Sequence, residues 1–188
     1  STLLNLLFKK ENVQANTVMY ENKDLTTISQ KGYYRDVCFI SQNISLPWFK
    51  ITVKNYLSKK VNSYNNLSDP KKRISNVISR MKLRKYLDMD YRTLSDGERR
   101  WIELAVAIAS DTKVLLIDGF GQYLGEEKLN VLSRILYRKI NYDGATLIVS
   151  THIRERLSKI ASVFIRLDEG RIVSVRSRNK NKNKNKKK

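Results

Sequence analysis

The chain has 188 residues, 41% of them hydrophobic, and a formal net charge of +19. That length suits one domain with a real core. One cysteine and one histidine exclude a disulfide scaffold and a zinc site built from the usual ligands, and no apolar run is long enough to cross a membrane. Eight of the positive charges fall in the last thirteen residues, from Arg176 and Arg178 through the alternating Lys-Asn run to Lys188. That run cannot bury apolar surface, so 176–188 is expected to be a disordered basic tail. The remaining charge is spread widely, which disfavours nucleic acid as the specific partner and favours a solvated or anionic-lipid-facing surface.

Leu3, Leu4, Leu6 and Leu7 give 1–10 the apolar face of a helix. Because the chain opens inside that pattern and without a Met, material is expected to be missing from its front. Residues 12–30 are polar and irregular, with a short strand at 17–20. An apolar strand at 37–41 contains Cys38 and leads into a loop carrying Pro47 and Trp48. Val53, Tyr56 and Leu57 start a helical segment, 61–70 reads as a polar loop, and Ile74, Val77, Ile78 and Met81 have helical spacing across 74–86. Ser95 followed by Glu98 is a capping signal for a strong helix whose Trp101, Leu104, Ala105, Ala107 and Ile108 face a core.

The runs 114–117 and 145–149 have the character of buried parallel strands, with a helix at 126–140 between them. A third strand at 163–167 turns at Asp168-Glu169-Gly170 into a fourth. Strands alternating with helices predict an α/β domain with a partly parallel sheet, in which ligands collect at the carboxyl ends of strands. Asp118 and His152 follow two of those ends. Asp118 can hold a hydrated Mg²⁺ ion, or it can be a polar strand exit. His152 can donate to a phosphate, or it can be a cap. The helix start at Ser95, with Gly97 and Glu98, can bind a phosphate through free amides or use its own side chains for capping.

The order of these pieces carries a resemblance. Ser1-Thr2-Leu3-Leu4 matches the residues after the Gly-Lys of a phosphate loop. Ser41-Gln42-Asn43, with Pro47-Trp48 after it, matches a glutamine loop. Leu94-Ser95-Asp96-Gly97-Glu98-Arg99-Arg100 matches a Leu-Ser-Gly-Gly-Gln signature, Leu115-Leu116-Ile117-Asp118-Gly119 a Walker B strand, and Val149-Ser150-Thr151-His152 a switch-histidine strand. Along nearly its full length the chain resembles the nucleotide-binding domains of ATP-binding-cassette (ABC) transporters.

The resemblance implies a P-loop NTPase-like domain over 1–175 whose helical subdomain covers about 51–93. It implies ATP and Mg²⁺ as cofactors, with Ser1, Gln42 and Asp118 around the metal and Ser1, Thr2, Ser95, Gly97 and Glu98 on nucleotide. Gln42 and His152 become the catalytic residues. Integral membrane transporter subunits and a second ATPase subunit in a head-to-tail dimer become the partners, and the cytoplasmic face of a membrane becomes the location.

Three departures accompany the matches. No glycine-rich phosphate loop with its lysine lies within the sequence, so weak ATP binding is expected. Gly119 stands where the family places the glutamate that polarises water, a loss worth roughly 10²- to 10⁴-fold in rate. Gly125 replaces the aspartate of the dimer-crossing loop. The expectation is therefore a subunit with a degenerate site of its own whose signature helix completes a site on a different partner. A soluble ABC protein acting on ribosomes or nucleic acid, and a catalytically inactive remnant, are the alternatives.

Overall fold

The computed structural model describes residues 1–64 and 67–178. Its first half contains α1 (Thr2–Leu7), β1 (Met19–Tyr20), β2 (Lys23–Asp24), α2 (Gln30–Asp36), β3 (Val37–Ile40), α3 (Val53–Asn62) and α4 (Pro70–Arg80). Its second half contains α5 (Asp96–Ala109), β4 (Val114–Ile117), α6 (Glu126–Asn141), β5 (Thr146–Val149), β6 (Val163–Asp168) and β7 (Arg171–Ser177). Strands β3, β4 and β5 form one parallel sheet in that order, while β1-β2 and β6-β7 are separate antiparallel pairs.

Strands β3 and β4 are covered on both faces, as parallel strands usually are, whereas Thr146 and Ile148 of β5 are exposed. Side chains of β3 and β4 alternate accordingly. Cys38, Ile40, Leu115 and Ile117 pack with the helices α3 to α6. Val37 and Leu116, with Phe39, pack on the other face against Leu4 of α1, Leu25 and Tyr33 of α2. Register sets the ends of the strands level: Ile40 pairs with Ile117, and Ile117 with Val149. Whatever follows those three residues is therefore brought to one rim.

The helical excursion leaves and rejoins the core at one place. Thr52 bridges Asp90, Val53 N–H donates to Met89 O at 3.0 Å, and Tyr91 N–H donates to Ile51 O at 2.9 Å. Two tyrosines then fasten it to α5. Tyr56 and Tyr91 stack with ring centroids 3.9 Å apart, and both hydroxyls donate to Glu103 Oε1, at 2.5 and 2.7 Å. Trp101 adds a bond from its Nε1 to Met81 O at the end of α4.

Several expectations need correction. Helix α1 stops at Leu7 rather than Lys10, where Lys9 turns into left-handed backbone. Helix α2 was not expected; Ser29 caps it by accepting from Gly32 N–H. The helix expected over 74–86 starts earlier, because Asp69 caps it and Pro70 occupies its first turn, and it stops at Arg80. Only a 3-10 turn at Arg154–Leu157 separates β5 from β6. Strand β7 continues through Arg176 and Ser177, which the boundary at 175 had assigned to the tail. The remainder of that tail, 179–188, lies outside the described residues.

Cys38 is buried, and Tyr64 donates a hydroxyl to its Sγ at 3.3 Å. Burial pushes its thiol up to about 11. The folded chain therefore keeps a proton that the unfolded chain loses nearer pH 9, and this contribution to stability declines as pH rises through that window. At pH 8 Cys38 should be inert to a disulfide thiol reagent in the folded protein and react fully after denaturation, read as released chromophore. Rapid labelling of the folded protein would show that the thiol is not enclosed.

Candidate nucleotide and metal site

Three strand ends and one helix start meet at the level rim of the sheet. After β4 comes Asp118, whose N–H donates to Ile40 O at 2.9 Å; after β5 comes Ser150, whose N–H donates to Ile117 O at 3.0 Å. Ser150 Oγ donates to Asp118 Oδ1 at 2.6 Å and accepts from Gly119 N–H at 2.8 Å. Opposite them, Ser1 at the head of α1 donates its hydroxyl to Gln42 Oε1 at 3.4 Å, and its nitrogen lies 3.8 Å from Asp118 Oδ1. The structure thus gathers Ser1, Gln42 and Asp118, the three residues that the family resemblance assigns to one metal.

Asp118 is 3% exposed, and that burial alone would raise its pKa. The Ser1 and Ser150 hydroxyls, then the positive charges of the Ser1 ammonium and the Arg100 guanidinium, outweigh it and hold the carboxyl below the usual range. An ionised carboxylate beside a hydroxyl and a carboxamide oxygen is a hard, all-oxygen donor set. It fits Mg²⁺, which takes one or two carboxylates and completes its shell with water and phosphate oxygens. Thr2 is exposed in the first turn of α1, and His152 is exposed just beyond β5, with no hydrogen bond to its ring among the described residues.

The signature residues lie elsewhere and serve one another. Ser95 Oγ accepts from Glu98 N–H at 3.3 Å, while the Glu98 carboxylate accepts from Ser95 N–H and hydroxyl, both at 2.9 Å. This capping box engages the Ser95 and Glu98 donors that a phosphate would otherwise take. The Ser95 amide and hydroxyl hold Glu98 below the ordinary carboxylate range. A Cβ on Gly97 would overlap the carbonyl oxygen of Tyr123, so the missing side chain here serves packing against the loop after β4. Asp96 is neutralised by Arg99 at 2.5 Å. Ser95→Ala should cost about 1 kcal/mol, measured by urea unfolding; a change under a few tenths would show that the cap is redundant.

Two further residues complete the rim, and sequence reading gave them no place there. Ser150 was read only as part of a strand motif. Arg100 belongs to the signature match by sequence, but its side chain turns to the rim and not to the helix start. It is 1% exposed and donates to Ser41 O, Asp118 O and Gly119 O. One guanidinium therefore ties the loops after β3 and β4 to the second turn of α5. Its position one residue before Trp101 and four before Leu104 is the sequence signal, a charge on the apolar face of a helix.

The loop after β3 carries the most exposed aromatic, Trp48, 90% exposed and edge-on to Phe49, with Leu46 also exposed. Among the described residues β5 pairs only with β4, and Ile165, Ile172 and Val175 of the β6-β7 pair are exposed. No helix of the described residues is long and apolar enough to cross a membrane.

Comparison with known proteins is consistent along the chain. The family model described as ABC transporter matches residues 1–119. The chain is 28% identical over 181 residues to a "Probable sulfate/thiosulfate import ATP-binding protein CysA" from Chlorella vulgaris, covering 94% of this chain and 74% of that one. It is 25% identical to "Methionine import ATP-binding protein MetN 1" from Pseudomonas fluorescens, covering 92% of this chain and 53% of that one. It thus spans about three quarters of the first relative and about half of the second. A solved structure described as a dimeric post-hydrolysis state of the ATP-binding cassette MJ0796 bound to ADP and Pi superposes with a TM-score of 0.78 at 18% identity. That superposition covers 94% of this chain and 79% of that one.

Proposed function

Because the chain belongs to the ABC transporter family, matched over residues 1–119, we propose that it is a nucleotide-binding ATPase subunit of a membrane transporter whose own site is degenerate. The observation that carries this reading is the convergence of Ser1, Gln42, Asp118 and Ser150 on one rim beside a residue, Gly119, that has no side chain. Bound Mg²⁺ would supply charge neutralisation between the β- and γ-phosphates of ATP. Ser1, Gln42 and Asp118 would hold it, Ser150 would fix the Asp118 carboxylate, and His152 would reach the terminal phosphate.

Hydrolysis at this site lacks a base. Asp118 is engaged by Ser150, and Gly119 offers no carboxylate. The intact helix start at Ser95, by contrast, is available to a nucleotide held by a second subunit, provided Glu98 yields its cap to the phosphate. Support for a two-subunit arrangement comes from the dimeric cassette of similar fold, and support for membrane partners from the import proteins that the chain resembles. Trp48, Leu46 and Phe49 form the surface that would meet those membrane subunits, with the domain peripheral on the cytoplasmic face.

The test is ATP turnover by the full-length protein assembled with itself alone. A homodimer would hold two sites without the glutamate, and turnover well under 1 s⁻¹, the low end of ordinary enzymes, is expected. A rate near or above about 1 s⁻¹ would overturn the degenerate reading.

A further inference from the structure

The space beside Gly119 is already filled. Gly119 has φ +71, and a Cβ built there would overlap Gln122 Oε1 and stand 3.1 Å from its Cδ. The turn is tight, with Gln122 N–H donating to Gly119 O at 3.1 Å, and this folds the carboxamide back over the glycine. Gln122 Oε1 is also buried with no hydrogen-bond partner among the described residues. An amide oxygen left so costs free energy, and such atoms are rare enough in folded proteins to need a reason.

We propose that Gln122 is the positioning residue for the attacking water, its carboxamide oxygen standing in for the side chain absent at 119. The proposal rests on the reading of this rim as an ATP site. The unspent acceptor takes a hydrogen from water delivered with the nucleotide, as glutamines that orient attacking water do in other phosphoryl-transfer sites. A neutral amide orients the water without accepting its proton. The water oxygen bonds to the γ-phosphorus, the bond from that phosphorus to the β–γ bridging oxygen breaks with its electron pair staying on ADP, and the proton passes to a γ-phosphate oxygen. The products are ADP and inorganic phosphate.

The same geometry changes what a restored glutamate can do. At Gly119 a side chain meets left-handed backbone and the Gln122 carboxamide together. Gly119→Glu alone should therefore fail to raise turnover, whereas Gly119→Glu with Gln122→Ser should raise it by roughly 10²-fold or more.

The experiment uses the assembled transporter with every other ATP site disabled. Single-turnover hydrolysis is measured alongside binding of a fluorescent ATP analogue. Gln122→Leu should slow hydrolysis by roughly 10-fold or more with nucleotide affinity unchanged. Gln122→Glu should give a rate that rises with pH through the carboxylate range, a profile that a packing role would not produce. ATP binding with hydrolysis unaffected by Gln122→Leu, no hydrolysis by the unmodified chain, or full rescue by Gly119→Glu alone each overturns the proposal. Failure of the analogue to bind overturns the ATP-site reading, and this proposal with it.

Discussion

Arg100→Met should lower the unfolding free energy by about 3–5 kcal/mol, read as a shifted urea midpoint. Arg100 carries its charge into the core without a carboxylate at hydrogen-bond distance; its three acceptors are the carbonyls of Ser41, Asp118 and Gly119. Burial lowers its pKa, opposed chiefly by the nearby Asp118 charge. Replacing a buried ion by an apolar side chain can be neutral when its partners leave with it. Here the partners are main chain and stay behind, unpaired in the interior. A loop that also presents Gln42 would lose its anchor, so nucleotide response should fall with stability. Arg156→Ala, which breaks a half-exposed pair with Glu126 on the surface, should by comparison change stability by under about 1 kcal/mol. Equal effects from the two substitutions would mean that Arg100 organises nothing.

Asp118→Asn should abolish Mg²⁺-dependent retention of ATP at this subunit's own site while leaving the fold almost unchanged. Asparagine keeps an oxygen for the Ser150 hydroxyl but removes the only carboxylate in the cluster. The acid response has a defined sign. Asp118 is held below its ordinary value of 3.8, so its carboxylate stays ionised at neutral and mildly acidic pH and loses its charge only as pH falls through that lower value. Metal retention should therefore persist down to mildly acidic pH. It is read by equilibrium dialysis of labelled ATP with and without Mg²⁺ in the assembled complex; retention unchanged by Asp118→Asn would place the metal elsewhere.

Much of the scaffold was legible because it depends on periodicity. Val114–Ile117, a short apolar run between polar residues, reads as a buried strand, and the spacing of Trp101, Leu104, Ala105 and Ile108 gives α5 a core face. The capping box at Ser95 and Glu98 is a three-residue rule and needed no tertiary information. Helix α2 was hidden because Gly32 and its charged neighbours break any apolar period, and the helix is held by one cap and by Tyr33 packed on α1.

The rim divides in the same way. Asp118, Gln42 and Ser1 are named by strand ends and by resemblance, and the level register of β3, β4 and β5 explains their meeting. Arg100 and Gln122 act through main-chain atoms and through space left by a glycine. The linear pattern marks Arg100 only as a charge on an apolar helix face, without its partners, and does not mark Gln122 at all. Glu98 belongs partly to each class: the resemblance assigns it to nucleotide, while local physics gives it to Ser95.

The most direct test of the account is Mg²⁺-dependent ATP turnover by the heteromeric assembly proposed above, carrying either Asp118→Ala or Ser95→Arg in this chain. The account predicts that turnover survives Asp118→Ala, because this subunit's own site contributes little, and collapses with Ser95→Arg, which blocks the helix start offered to the partner's nucleotide. Turnover lost with Asp118→Ala and untouched by Ser95→Arg would contradict it.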